Sequence, residues 1–296
     1  MITNSMKKHL ISFSFVICCL SLNTALTSCS DEDYLGGHYT TDGAGALMNV
    51  TAQIKSEINP DMKWAAGDVI GIATGYGLND ISARNREYAC QADGSTFKNT
   101  TGYPLYVKGA TNIVAYYPFS GSDGAEPNIS LNTTDQSNIT NYFLAKAEGV
   151  NPQNGGLVNL VFTNALSRLD LAIVAPAGES IREYRLSGFA QQATVNPYTM
   201  EMTMSAPEDL VGKGTDLSNI SLSLIPQDAG SSGIPARLIL VGNIRSYSID
   251  MSNTTLKAGA VQRATVDVTD GIGSIDFVPG GSAWSDSGLG GNVASN

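Results

Sequence analysis

Short runs in which apolar and polar residues alternate recur along almost the whole chain, and they constrain its fold more than any other feature. Met48, Val50, Ala52 and Ile54 alternate with polar neighbours, which is the pattern of a half-buried strand. Clusters of Gly, Asn, Asp, Ser and Pro separate the runs, and no segment after the first 28 residues keeps a capped helical period. The sequence therefore predicts an all-β fold. Further strand-length runs lie at 69–72, 103–107, 113–117, 142–145, 157–162, 169–174, 200–204, 220–225, 237–241, 247–251, 265–268 and 274–277.

The spacing of these runs predicts how the strands are grouped. Short strands with turns every 8 to 12 residues or so are typical of β-sandwiches, and this number of strands favours two antiparallel β-sandwich domains in tandem. We place the boundary between the run ending at Phe162 and the run beginning at Leu169, which gives domains over residues 46–164 and 165–296. Residues 29–45 are rich in Gly, Asp and Thr and lack an apolar period, which predicts a short flexible tether.

The first 28 residues have the parts of a secretory signal peptide. Two lysines precede an apolar stretch over residues 10–22, which is shorter than the roughly 20 apolar residues that a membrane-spanning helix needs. The segment ends in a match to the bacterial lipobox, whose last residue receives the lipid: Leu26, Thr27, Ser28 and Cys29. We therefore predict that cleavage before Cys29 and acylation of its thiol anchor the chain to the outer membrane of a Gram-negative cell.

Charge and cysteine content narrow the possible partners. The formal charge is −10, and it becomes −12 when Lys7 and Lys8 leave with the signal peptide. A surface this acidic repels nucleic acid and anionic lipid, so we expect neither as a partner. The acidic stretch after Cys29 resembles a surface-export signal of lipoproteins in anaerobic gut and oral bacteria. Once the signal is removed and Cys29 is acylated, Cys90 is the one cysteine left, and we expect it to be a buried apolar residue without a disulfide.

Histidine content argues against catalysis. After the signal peptide the sequence holds one histidine, His38, and it lies in the predicted tether. Serine-histidine-aspartate catalysis and catalytic zinc sites both need rigidly held imidazoles. The 27 acidic residues leave open a carboxylate pair for glycoside hydrolysis, but the sequence singles out no pair. We predict a protein without catalytic residues, metal or cofactor.

Tyrosines offer an alternative function. Tyr103, Tyr106, Tyr116 and Tyr117 fall in two adjacent strand runs. Their rings could form a platform that stacks on sugars, as in a solitary glycan-binding surface lipoprotein. The other interpretation is that they pack within and between the predicted sheets.

Four stretches resemble the fimbrillin family, the lipoprotein pilins and pilus-associated subunits of anaerobic Gram-negative bacteria. In the third stretch, a histidine that is usual in the family is Asn164 here. The stretches keep their order over most of residues 45–285. They are KWAAGDVIGI at 63–72, NIVAYYPF at 112–119, YFLAK at 142–146 with VNLVFTNALSRL at 158–169, and LKAGAVQRATVDV at 256–268.

The resemblance implies two transthyretin-like β-sandwich domains and a route of assembly. In such pilins a protease removes an N-terminal strand, and the C-terminal strand of another subunit fills the apolar groove by β-strand addition. Here Ile275, Phe277 and Trp284 are the expected anchors of the inserted segment. The alternative is that this segment folds back on its own domain. The implied partners are other fimbrillin subunits, the outer membrane through the lipid, and a host or bacterial surface glycan or protein.

One departure from the family concerns trimming. The family's protease is usually arginine-specific, yet the first arginine is Arg84, well inside the first predicted domain. Lys55, at the end of the first predicted strand, and Lys63 are the alternatives, and we take Lys55 as the trimming site if trimming occurs. An untrimmed subunit keeps its lipid, so we expect a permanent tether.

Overall fold

Twenty strands and one turn of 3₁₀ helix at Pro152–Asn154 make up the regular structure of residues 45–74, 83–125 and 129–278, which this computed structural model describes. The all-β prediction is confirmed. The first ten strands are β1 (Ala46–Leu47), β2 (Asn49–Ile54), β3 (Val69–Thr74), β4 (Ala83–Cys90), β5 (Thr96–Asn99), β6 (Tyr106–Val107), β7 (Thr111–Tyr117), β8 (Ile129–Asn132), β9 (Phe143–Val150) and β10 (Leu157–Asn164). The other ten are β11 (Ser167–Val174), β12 (Ile181–Ser187), β13 (Gln192–Val195), β14 (Met202–Met204), β15 (Leu210–Lys213), β16 (Asn219–Leu224), β17 (Arg237–Gly242), β18 (Ser246–Asp250), β19 (Val261–Asp267) and β20 (Ser274–Phe277).

Seven strands of the first half form one sheet that closes on itself, in the order β10-β2-β5-β4-β3-β7-β9. Apolar side chains from alternate positions of these strands fill its interior. Trp64, in the loop after β2, is buried among them and meets Phe97, Tyr117 and Phe162 edge-on at centroid distances of 5.3, 5.2 and 5.1 Å. The aromatic residue of the first family-like stretch is thus a central part of this core.

The second half contains two four-stranded sheets, β16-β11-β19-β20 and β15-β12-β17-β18. Their inner faces share one apolar core whose buried members run from Leu169 to Val268. The alternation of buried and exposed residues along β11 and β18 reflects this packing, because one face of each strand meets the core and the other meets water.

Two strand pairs correct the expectation of wholly antiparallel domains. β2 runs parallel to β10, and β11 runs parallel to β19, whereas the other recorded strand pairs are antiparallel. In each parallel pair the two strands are far apart in sequence. The chain between them returns to the end of the sheet at which the first strand began, so that the second strand can run in the same direction. Side-chain alternation is the same in both arrangements, so it could not distinguish them.

A third apolar cluster joins residues from both halves of the chain. β8 pairs with β13, and the cluster below them includes Leu131, Leu166 and Tyr198. The Gln136 amide also makes two hydrogen bonds of 2.9 Å with the backbone N–H and C=O of Ser223, at the edge of β16. The expected boundary at 164–165 falls in the two-residue link between β10 and β11. The two-domain division and its transthyretin-like detail stay predictions.

Candidate subunit interface

Strand β2 lies between β10 and β5 and is the segment that completes the closed sheet. Its six residues pair in parallel with β10, from Asn49 opposite Leu157 to Ile54 opposite Phe162. On its other side it pairs with β5, where Val50 is opposite Phe97. The first long strand of the fold is therefore hydrogen-bonded along both edges.

The inward face of β2 is well buried. Val50 is 1% exposed and Ala52 is 6% exposed, and Met48 just before the strand is 4% exposed. Burial of side chains the size of Val or Met contributes about 1.5–3 kcal/mol each. With the backbone pairing added, a cut after β2 would not by itself release the strand.

The loop after β2 carries the lysines considered for trimming. Lys55 follows the last residue of β2, and its backbone N–H donates a 2.8 Å hydrogen bond to the Phe162 carbonyl. The residues at 55 and 63 are both exposed. Arg84 lies within β4, whose neighbours are β3 and β5, so a cut there would interrupt the closed sheet.

Strand β20 holds two of the three expected anchors and is much less embedded. It lies at the end of its sheet and pairs with β19 alone, with Ile275 opposite Val266 and Phe277 opposite Ala264. Ile275 packs against the second-half core, whereas Phe277 is 36% exposed. In this structure these residues therefore pack on their own half of the chain. Trp284, the third anchor, and the lipobox residues Leu26, Thr27, Ser28 and Cys29 lie outside the described residues.

The four tyrosines do not form a common platform. Tyr116 is 2% exposed, and its hydroxyl lies 2.6 Å from Asn85 Oδ1. Tyr117 packs against Trp64 on the other side of the sheet, and Tyr106 lies in β6 opposite Leu47. Tyr103 is the exposed one, and its ring centroid lies 5.8 Å from Arg86 Cζ. The packing interpretation explains Tyr116 and Tyr117, whose rings are not available to stack on a sugar.

Other chemistry is sparse in the part of the chain that the structure describes. Cys90 is buried, and burial raises the pKa of its thiol, with the nearby Asp68 carboxylate acting in the same direction. Among the described residues, none of the helical structure is long and apolar enough to cross a bilayer. No group of three potential metal-binding side chains comes together there either.

Sequence reasoning missed part of the wall that faces β2. Phe97 is 2% exposed and belongs to the same core as Val50. Phe97 stands alone in the polar run STFKN, and only its pairing with β2 explains its burial. The cavity beside Lys257 and Arg263, described below, was also missed, because its wall combines part of the stretch 256–268 with Phe277 and Val278, which only strand pairing brings next to it.

Known proteins resemble this chain in fold and in family. The fimbrillin-like family matches residues 55–279, which is well over half of the chain. The structure of a candidate cell adhesion protein from Bacteroides uniformis is 21% identical, with a TM-score of 0.55, and the match covers 81% of this chain and 98% of that one. A second candidate cell adhesion protein, from Bacteroides ovatus, is 19% identical with a TM-score of 0.57 over 79% of this chain and 96% of that one.

At these identities the two structures establish a shared fold only. No curated protein matches the chain. The family match begins at Lys55, directly after β2, and ends just after β20, so it spans β3 to β20. The chain belongs to the fimbrillin-like family.

Proposed function

We propose that this protein is a non-catalytic subunit of a surface fimbria, held at the outer membrane by a lipid on Cys29, and that it serves adhesion. The observation that carries the proposal is the position of β2, the first long strand, between β5 and β10 in a sheet that closes only through it. Family membership and the similarity to candidate cell adhesion proteins of Bacteroides support the fimbrial and adhesive role.

The proposed contact between subunits is β-strand addition at the place of β2. Removal of the chain up to Lys55 takes away β1 and β2 and leaves unpaired backbone along β5 and β10. It also empties the positions of Val50 and Ala52, which are two residues apart on one face. An incoming strand with apolar residues at the same spacing satisfies the backbone and fills both positions.

Strand β20 is the proposed donor. Ile275 and Phe277 are two residues apart and alternate with Ser274 and Asp276, so their spacing matches the emptied positions. Because β20 has one neighbour, its departure breaks one ladder of four residue pairs. Trp284 would follow as a third anchor.

The absence of an arginine before Arg84 leads us to place the subunit at the membrane end of the fibre. An arginine-specific protease has no site beside β2, so the chain keeps its own strand and its lipid. Its β20 remains available to a neighbour. Lys55 is the site at which a lysine-specific protease would convert it into a stalk subunit.

Electrophoresis of surface material tests the fimbrial role. Cells that express the full chain should yield heat-labile, high-mass complexes that contain it, and boiling should reduce them to the monomer. Cys29→Ser should release these complexes into the medium, whereas Cys90→Ala, a change in the other cysteine outside the signal peptide, should leave them on the cell. A protein that runs only as a monomer before heating would refute the proposal.

A further inference from the structure

A cavity of about 350 Å³ opens where the start of β19, the end of β20 and the loop before β19 meet. This volume is at the lower end of the range for small-molecule sites, roughly 300–1,000 Å³, and fits one sugar-sized group. Its distinctive side chains are two cations, two buried polar groups and two exposed apolar groups: Lys257, Arg263, Thr254, Gln262, Phe277 and Val278.

The two cations have no acidic partner among the described residues. Lys257 begins a turn that closes with a 3.2 Å hydrogen bond from the Ala260 N–H to the Lys257 carbonyl, and Arg263 follows in β19. Neither forms an ion pair with any described residue, including the neighbouring Asp228 and Asp276. In a chain with a formal charge of −10, two unpaired cations beside one cavity favour an anionic ligand. The planar guanidinium of Arg263 is suited to a carboxylate in particular.

Two buried polar atoms in the same wall lack hydrogen-bond partners. Thr254 is 2% exposed, and its Oγ1 has no partner among the described residues. The Gln262 amide nitrogen donates to the Thr255 carbonyl, but its buried Oε1 accepts nothing in that part of the chain. Such atoms are rarely left unsatisfied. Because Oε1 can only accept, a ligand that satisfies it must carry a hydroxyl or N–H donor.

The remaining wall is apolar and accessible. Phe277 is 36% exposed and Val278 is 57% exposed. An aromatic ring next to hydrogen-bonding groups matches a ligand that has one apolar face and a polar rim. A carboxylate, hydroxyl donors and an apolar C–H face, within the volume of one ring, are together the properties of an acidic sugar.

We propose that this cavity binds an acidic sugar, a uronic or sialic acid unit of a surface glycan. Arg263 and Lys257 hold its carboxylate, Thr254 and Gln262 bind its hydroxyls, and Phe277 packs against its ring. All of these residues belong to one chain, so a single subunit forms the site, and donation of β20 to a neighbouring subunit would dismantle it. It does require β20 to remain paired with β19, because β20 and the residue after it supply Phe277 and Val278.

Calorimetric titration of the purified full chain with monosaccharides tests the proposal. Glucuronate, galacturonate and N-acetylneuraminate are the probes, and galactose is the neutral control. We expect saturable binding of at least one acidic sugar and no saturable binding of galactose at the same concentrations. Arg263→Gln and Lys257→Gln should each weaken this binding by about tenfold or more. The exposed cations Arg237 and Lys98 lie in other strands, so Arg237→Gln and Lys98→Gln should leave it unchanged.

Four results would overturn the proposal. The first is that no acidic sugar binds saturably, and the second is that galactose binds as tightly as the acidic sugars. The third is acidic-sugar binding that Arg263→Gln does not weaken. The fourth is that an acetylated dipeptide with a free carboxylate binds and the acidic sugars do not. The last would make the cavity a site for peptide carboxylates. Because the titration uses isolated protein, its failure leaves the electrophoretic test of the fimbrial role unaffected.

Discussion

Tyr88 illustrates how burial of one side chain makes stability depend on pH. It is 1% exposed, and its hydroxyl accepts a 2.8 Å hydrogen bond from the Leu105 N–H. Burial raises its pKa to about 12, although the Leu105 hydrogen bond acts in the opposite direction. An unfolded tyrosine ionises near pH 10, so the unfolded chain loses this proton first as the pH rises. The stability that Tyr88 contributes is therefore fully present below about pH 10 and is lost as the pH approaches 12.

Tyr88→Phe should lower the free energy of unfolding at pH 8, because the Leu105 N–H loses its acceptor. A buried unsatisfied donor costs about 1–3 kcal/mol. Above pH 10 or so the difference between the two proteins should shrink, by up to about 1.4 kcal/mol per pH unit. Urea unfolding at a series of pH values, followed by far-ultraviolet circular dichroism, measures this. Tyr103→Phe, at an exposed tyrosine, is the control and should change the free energy of unfolding at pH 8 much less than Tyr88→Phe does. If the free energies of unfolding of Tyr88→Phe and the parent protein changed in parallel between pH 9 and 12, Tyr88 would not be the source of this pH dependence.

Arg86 and Asp123 form an ion pair that fastens the loop after β7 to β4. Their N–O distance is 2.8 Å, and their side chains are 5% and 15% exposed. Asp123 Oδ1 also accepts a 2.9 Å hydrogen bond from the Glu87 N–H. Burial of Arg86 could not be predicted from its neighbours in sequence, because its partner Asp123 is 37 residues away. A charged residue in a strand is ordinarily expected to face water.

Asp123→Ala should destabilise the protein by about 3–5 kcal/mol, because it leaves the Arg86 guanidinium buried without its counter-ion. The matched control is Asp209→Ala. Asp209 lies 3.5 Å from Arg185, and both side chains are nearly half exposed. That change should cost less than about 1 kcal/mol. Chemical denaturation of both variants measures the two losses of stability. Equal losses would show that solvent screens the charges of Arg86 and Asp123 as it does those of an exposed ion pair.

At the scale of elements, the strands predicted from alternation are those with one regular apolar face. The runs at 157–162, 169–174 and 237–241 correspond to β10, β11 and β17. β12 was missed because its register shifts between Ile181 and Glu183, so its buried residues do not keep a period of two. β4 was missed because Asn85 and Arg86 are buried through polar partners instead of apolar packing. Which strands pair, and in which direction, depends on contacts between distant residues that local patterns do not encode.

Strand β2 gives the element-scale prediction. Val50→Asp places a carboxylate on its buried face and should destabilise the protein by about 3 kcal/mol or more. Gln53→Asp introduces the same side chain on the exposed face of the same strand and should have little effect. In hydrogen exchange, Val50→Asp should reduce the protection of amides in β5 and β10 and leave that of β12 and β17 near the parent level. A uniform loss of protection throughout the chain would mean that β2 cannot be replaced by another strand without unfolding the rest of the protein.

At the scale of the whole molecule, the closed first-half sheet connects the proposed lipid anchor with the proposed assembly mechanism. The sequence predicted the lipid on Cys29, the family and the all-β fold, and it singled out Lys55 as the end of the first strand. It could not predict that β2 runs parallel to β10, because the two strands are separated by more than 100 residues. That pairing places the residue after β2 beside Phe162 and makes β2 the strand whose loss would open the sheet. A cut after Lys55 would remove both β2 and Cys29, so the chain keeps or loses the strand and the proposed lipid together.

Intact-mass spectrometry of the protein purified from washed cells shows whether this subunit retains both the proposed lipid and β2. We expect a chain that begins at Cys29 and carries the added mass of its acyl groups. A free N-terminus at Ser56 without lipid would contradict this expectation and would identify the protein as a trimmed stalk subunit.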